Sequence, residues 1–427
     1  MVFFAPETMK FGDFDLIEHD GKLFCIFIQR SKTKITPPDE KGNTYGLAVS
    51  EDGLSWNDMG PVKKPGNPGA WNSGSLWAMS LLKHKGRFAM VYSAVPIVNG
   101  DAHSNQQMGL AFSDDLEHWE DHENNPVITN DDTGEYYYSK YIHKFCWRDP
   151  NIYEADGKFY CIFAAKDRKR PYEQSGCIAL FESEDLIKWT AKPPLFSLGN
   201  HWEIETPHIY RIGDLWYLIF GNYHHGMSMS FAVSREFLGP YHEPHLNTFA
   251  PAMCYAARLI HFKGQYLFYH WIRDKIRGKK QTYLAPPKIV EADSGHIWLR
   301  KHPMMDDLFP KMTGNNILAG VSRMTKRRCR LNKIMSNIGF HITIKGRNED
   351  YRKNIFFNTA AGGLSVRDFT FDSMVNDLRT LDIPLSDNNA IDIFVEDRFM
   401  EVYVNDYFVY ATIMEADFRD IEKIELW

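Results

Sequence analysis

The chain has 427 residues, 44% of them hydrophobic and 24% charged, which suits a soluble globular protein of two or three domains. A net charge of −6 gives no sign of a nucleic-acid partner. No apolar run is long enough to span a bilayer, and the start MVFFAPETMKFGDFD lacks the basic and apolar regions of a secretory signal, so no membrane partner is expected. Six scattered cysteines form no CxxC pair. Cys25, Cys161 and Cys177 lie in apolar runs and read as free thiols of a cytoplasmic protein.

Taken in chain order, the predicted elements repeat. EHDGKLFCIFIQ, around Gly21, reads as two strands joined by a glycine turn. It is followed by AVSEDGLSW, a third strand, a polar turn and an aromatic, Trp56, that opens a fourth strand. The pair recurs as KHKGRFAMVYSA around Gly86 with AFSDDLEHW ending at Trp119. EADGKFYCIFAA around Gly157 is followed by LFESEDLIKW ending at Trp189. RIGDLWYLIFGN around Gly213 precedes AVSREFLGPY, and HFKGQYLFYHWI around Gly264 precedes IVEADSGHIWL. Five copies of a four-stranded unit predict an all-β fold, a five-bladed β-propeller spanning residues 1–306. Residues 307–335, with KMTGNN and TKRRCR, read as a linker or first sandwich strand. Alternating runs such as GFHITIKG, AIDIFVED and MEVYVNDYFVYATI make residues 336–427 a C-terminal β-sandwich, an arrangement that allows a homodimer.

The position eight residues before each hairpin glycine is Asp13, Ala78, Asp149, Glu205 and Ala256. The innermost strand of each blade lines a central channel, so these positions are expected to form a ring at one mouth. Three carboxylates on such a ring suit an enzyme that needs an acid and an anionic partner. Solvated surface acids, or a calcium site made of the same three groups, are the competing readings. The flanking Phe11, Trp147 and Trp202 favour a partly buried, aromatic setting.

These segments resemble the glycoside hydrolases of family 32, the invertases, inulinases, levanases and sucrose-phosphate hydrolases. FGDFDLIEHDGKLFCIFIQ is similar to the family's nucleophile strand, SGSLWAMSLLKHKG to its Ser-Gly-Ser strand, and WRDPNIYEADGKFY to its Arg-Asp-Pro motif. ETPHIYRIGDLWY stands in place of the acid strand, and IDIFVEDRFMEVYVND resembles the sandwich signature. The Asn-Asp-Pro block is absent, and Thr206 stands where cysteine is usual. ETPHIYR also resembles the acid strand of the inverting family 43 propeller enzymes that cleave arabinan and xylan.

The resemblance implies a β-fructosidase-like glycosidase without a cofactor or metal, acting on a small oligosaccharide. By it, Glu205 is the acid/base, Asp13 the nucleophile, with Asp15 as rival, and Asp149 the transition-state stabiliser. Asp149 is expected to be ionised, to raise the pKa of Glu205, and to be held extended by Pro150. Arg148 would bond the substrate or a neighbouring carboxylate. Gln29, Trp71, Ser73 and Trp77 are further candidates for sugar contact. The adjacent histidines of NYHHG point to opposite strand faces and do not suggest a metal. The basic runs KDRKR (166–170) and IRDKIRGKK (272–280) read as solvated loops, with a sugar phosphate as an alternative use. A non-catalytic carbohydrate-binding protein is the reading from another class.

Overall fold

The computed structural model describes residues 2–31, 42–96, 105–138, 146–222, 228–244, 247–251, 254–274, 281–309, 324–332, 340–346, 352–360, 363–369, 379–386, 388–413 and 421–426. These residues are almost entirely β, as expected. The first antiparallel sheet runs β1 (Met9–His19), β2 (Lys22–Ser31), β3 (Thr44–Ser50) and β4 (Asn57–Lys63). The second runs β5 (Ser75–His84), β6 (Arg87–Val95), β7 (Gln107–Ser113) and β8 (Glu120–Asp121), and the third β9 (Arg148–Ala155), β10 (Lys158–Lys166), β11 (Gly176–Ser183) and β12 (Trp189–Ser197). Three strands follow, β13 (Ile204–Ile212), β14 (Leu215–Asn222) and β15 (Ser228–Ser234). Then come β16 (Tyr255–Phe262), β17 (Gln265–Asp274), β18 (Gln281–Leu284), β19 (Lys288–Asp293) and β20 (His296–Lys301). The first strands touch one another in cyclic order: β1 meets β5, β5 meets β9, β9 meets β13, β13 meets β16, and β16 returns to β1.

Local chemistry explains the repetition. In the first three units a Ser–X–Asp triplet closes the turn after the third strand. Asp52, Asp115 and Asp185 each accept two backbone N–H groups from the residues that follow, at 2.7–2.9 Å. The residue after each Asp takes a positive φ (Gly53 81°, Leu116 67°, Leu186 66°); Trp56 and Trp119 then stand just before the fourth strand and Trp189 opens it. Trp119 and Trp189 donate their indole N–H to the carbonyls of Leu116 and Leu186 at 2.9 and 2.8 Å.

After the short helix α1 (Met304–Leu308), two further sheets pack together. One holds β21 (Met324–Asn332), β26 (Asn388–Glu396), β27 (Phe399–Val404) and β28 (Tyr407–Ile413). The other holds β22 (Phe340–Gly346), β23 (Arg352–Ala360), β24 (Gly363–Phe369), β25 (Arg379–Leu381) and β29 (Ile421–Leu426). Ile342, Ile355 and Val366 face Ile393, Val402 and Val409 between them. Cys25, Cys146, Cys161, Cys177 and Cys254 are buried free thiols. No helix of the described residues is long and apolar enough to cross a membrane.

The two halves are joined by buried charge. Arg300 on β20 pairs with Tyr407 on β28, making one sheet continuous. Lys288 donates to Glu401 at 2.5 Å and to the Pro286 carbonyl at 2.8 Å, and its ammonium lies 4.4 Å from the Phe408 ring centre. Neither partner of that ion pair is more than 1% exposed. Removing one charge strands the other in an apolar setting. Glu401→Leu alone is therefore expected to cost about 3–5 kcal/mol in denaturant unfolding, and the Lys288→Met/Glu401→Leu double variant far less.

Candidate active site

The five hairpin turns are not identical, and the difference matters. Four place glycine second, after a residue that also has positive φ: Asp20–Gly21, Lys85–Gly86, Asp156–Gly157 and Lys263–Gly264. In the fourth unit Gly213 comes first and Asp214 second, and only Gly213 has positive φ. Counting from the glycine therefore slips by one in that unit. The equivalence of Asp13, Asp149 and Glu205 expected from the eight-residue count does not hold.

A bulge brings them together instead. Each first strand carries a two-for-one bulge near its start, between Phe11 and Phe14, Leu76 and Met79, Arg148 and Asn151, Glu205 and His208, and Tyr255 and Arg258. Glu205 is the last residue before its bulge, Asp149 the first within its own, and Asp13 the second. A regular strand would point alternate residues to opposite faces; the bulge lets neighbours share one. The backbone is strained there, with φ of 61° at Asp149, 47° at Thr206 and 47° at Ala256. Pro150 thus does not hold Asp149 extended, because bulge geometry overrides the pre-proline preference.

These strand starts enclose a cavity of about 180 Å³ lined by Asp13, Asp149, Glu205, Arg148, Trp77, Arg30, Thr206, Tyr255, Trp271, Arg273 and others. Asp13 accepts the indole N–H of Trp271 at 3.0 Å. Asp149, 3% exposed, accepts the N–H of Thr206 at 3.0 Å and so ties the bulges of β9 and β13 together. Glu205 accepts from the Arg148 guanidinium with one oxygen and from the Tyr255 hydroxyl with the other. Arg148 also pairs with Glu203. Each carboxylate thus has a fixed donor.

The remaining candidates divide. Trp77 and Arg148 line the cavity with the three acids. Gln29, Trp71 and Ser73 are not among its lining residues. Gln29 accepts from the Thr44 hydroxyl at 3.3 Å, Trp71 packs 5.6 Å from the Tyr92 ring, and Ser73 closes a turn onto Ala70. Asp15 is fully buried elsewhere: it pairs with Arg258 at 3.2 Å, accepts the Leu81 N–H at 2.7 Å, and lines a second cavity further along the same strands. Of the expected aromatic flank, Phe11 lines the site, Trp147 packs on Phe163 in the core, and Trp202 is 39% exposed. The basic runs are not simply solvated, since Lys166 is buried and Arg273 lines the cavity. NYHHG from Tyr223 onward and residues 275–280 lie outside the described residues. Among the described residues no group of three His, Cys, Asp or Glu is arranged to hold a metal.

Sequence counting missed Tyr255 and Trp271. Tyr255 directly precedes Ala256, the marked position of the fifth copy, and Trp271 is its cross-strand partner, with ring centres 5.3 Å apart. Adjacency to a marked position was the available signal.

Charge is distributed differently from expectation. Asp149 itself has its pKa pushed up to about 7, first by burial and then by Glu205 and Asp13, against the opposing pull of Arg148 and the Thr206 N–H. The folded state then binds more protons than the unfolded chain between about pH 4 and 7, so this group's contribution to stability is lost as pH rises through about 7. Asp149→Asn keeps an acceptor for Thr206 and removes the titration. Its melting temperature relative to the parent should increase from pH 5 to pH 8, measured by calorimetry; a difference independent of pH would refute the shift.

The glycosyl hydrolases family 32 N-terminal domain model matches residues 15–250, just over half of the chain. A family 32 β-fructofuranosidase from Bombyx mori superposes with a TM-score of 0.73 at 13% identity, covering 100% of this chain and 93% of that one. Fructan 1-exohydrolase IIa from Cichorium intybus gives 0.70 at 14% identity, covering 99% and 93%. A β-xylosidase from Bacillus subtilis (strain 168) is 26% identical over 182 residues, 41% of this chain; the chain covers only 30% of that protein's length. With the model matched across every first strand from β5 to β13, and a fold shared end to end with family members, this chain belongs to glycosyl hydrolase family 32.

Proposed function

We propose that the protein is a retaining β-fructosidase-like hydrolase of small oligosaccharides. The observation that carries this reading is the convergence of Asp13, Asp149 and Glu205 from three different strands on one cavity. In this reading the ring of first strands is the axis of a five-bladed propeller over residues 1–306. In the same reading the segment 307–335 supplies the first sandwich strand, β21, which pairs with β26, and the rest of the sandwich follows from about residue 336.

Glycoside cleavage needs a proton donor at the leaving oxygen and a carboxylate at the anomeric carbon. Glu205, held by Arg148 and Tyr255, is assigned the proton transfer, first as acid and then as base. Asp13, oriented by the Trp271 indole, is assigned the attack that forms a glycosyl-enzyme intermediate. The second Asp149 oxygen accepts sugar hydroxyls, and this interaction strengthens as the ring becomes cationic. Trp77 supplies an apolar wall. Retention requires the two reacting carboxyl groups to act about 5–5.5 Å apart.

The match to a β-xylosidase favours one second reading, an inverting pentosidase built on the same acids. A panel of sucrose, 1-kestose and levan oligosaccharides against aryl α-L-arabinofuranosides and β-D-xylosides separates the two, with the product anomer read by NMR. Turnover of fructosides with retention is expected; pentoside turnover with inversion would replace this proposal with the second. Glu205→Gln should lower turnover of alkyl-leaving-group substrates on the order of 10²–10⁴-fold while sparing activated aryl ones. Asp13→Asn should abolish both.

A further inference from the structure

Glu203 stands just ahead of β13, two residues before Glu205, and its side chain is 6% exposed. It is not among the cavity-lining residues. A buried carboxylate is costly unless paired. Its partner is Arg148, and the same guanidinium nitrogen also serves Glu205. Behind this pair, at the end of β10, Lys166 is 1% exposed. Among the described residues the Lys166 ammonium has no hydrogen-bond partner, and it lies 4.5 Å from the Trp202 ring centre and 5.2 Å from that of Tyr172. It is within electrostatic reach of both Glu203 and Arg148. A buried row of alternating sign, Lys166, Glu203, Arg148, Glu205, thus ends on the group assigned to proton transfer.

We propose that Glu203 is a positioning residue that sets the proton affinity of Glu205 by sharing Arg148 with it. This rests on the acid role of Glu205 proposed above. An arginine bound to Glu205 alone would stabilise its carboxylate and oppose the protonated form that a general acid needs. Dividing the guanidinium between two carboxylates weakens that pull, and the negative charge of Glu203 adds to the effect. The other groups facing Glu205 are Asp149 from β9, Tyr255 from β16 and Asp13 from β1. Arg30 from β2 and Arg273 from β17 line the same cavity, and the Cys146 thiol lies near Arg148. Of these, the Cys146 thiol is also within electrostatic reach of Glu203.

The test is the pH dependence of kcat/KM for Glu203→Gln and Lys166→Met on the best substrate of the panel, with Glu205→Gln measured alongside. Glu203→Gln keeps an acceptor for Arg148 but removes the charge. Its basic limb should move to lower pH by about one unit, a tenfold change in the protonation equilibrium. Lys166→Met removes a charge of opposite sign and should move the same limb to higher pH. Opposite shifts support the proposal. A limb that stays put in both variants, or moves the same way in both, overturns it, whatever happens to turnover or melting temperature. Should Glu203→Gln fail to fold, the direction of the Lys166→Met shift still decides. Full activity of Glu205→Gln on alkyl-leaving-group substrates would instead show that the acid assignment had failed, and the proposal with it.

Discussion

The two-for-one bulge near the start of every first strand is the constraint on which the site depends. Strand geometry sends consecutive side chains to opposite faces, so regular pairing would have turned Glu205 and Thr206, or Arg148 and Asp149, away from one another. In each unit two residues instead oppose one, and both members of those pairs line the cavity. Left-handed backbone at Asp149, Thr206 and Ala256 costs of order 1–3 kcal/mol each. Aspartate tolerates that region best, and its carboxylate holds the neighbouring bulge through the Thr206 N–H. Pro150 and Pro207 occupy the second bulge positions, where a ladder donor is not required.

Once the bulges gather three carboxylates, electrostatics governs what they can do. Like charges at close range cannot all ionise freely, and burial sharpens the conflict. The protein answers with donors fixed one by one: the Trp271 indole for Asp13, a backbone N–H for Asp149, Arg148 and Tyr255 for Glu205. Asp149, the most buried of the three, has its pKa raised, first by that burial.

The C-terminal sheets reach this site indirectly. Tyr255 and Trp271 sit on β16 and β17, whose sheet continues through β19 and β20 into β28. The Lys288–Glu401 and Lys301–Asp392 pairs close that junction in the interior, and partly exposed Asp406 adds a second partner for Lys301. Val2 and Phe3 add backbone hydrogen bonds to Glu396 from the other end of the chain. The sandwich thus braces the strands that orient the Asp13 carboxylate.

Much of this was legible in the residues alone. The DGK-type turns, the Ser–X–Asp corners and the aromatics after them each encode a local conformation, so the repeat, the all-β class and the hairpins could be read from short segments. The three acids could be marked because they recur near the hairpin starts. Their true placement could not be counted: one turn takes its glycine first, and the bulges shift the frame by a residue in ways that only cross-strand pairing reveals. The same limit left Gln29, Trp71 and Ser73 outside the lining of the cavity and Tyr255 and Trp271 unnoticed. Asp13 and Asp15 differ by two residues, and local sequence could not separate them. Only the assembled ring gave Asp15 to Arg258 and Asp13 to the cavity, because a charge is committed by whichever partner from a distant strand arrives to meet it.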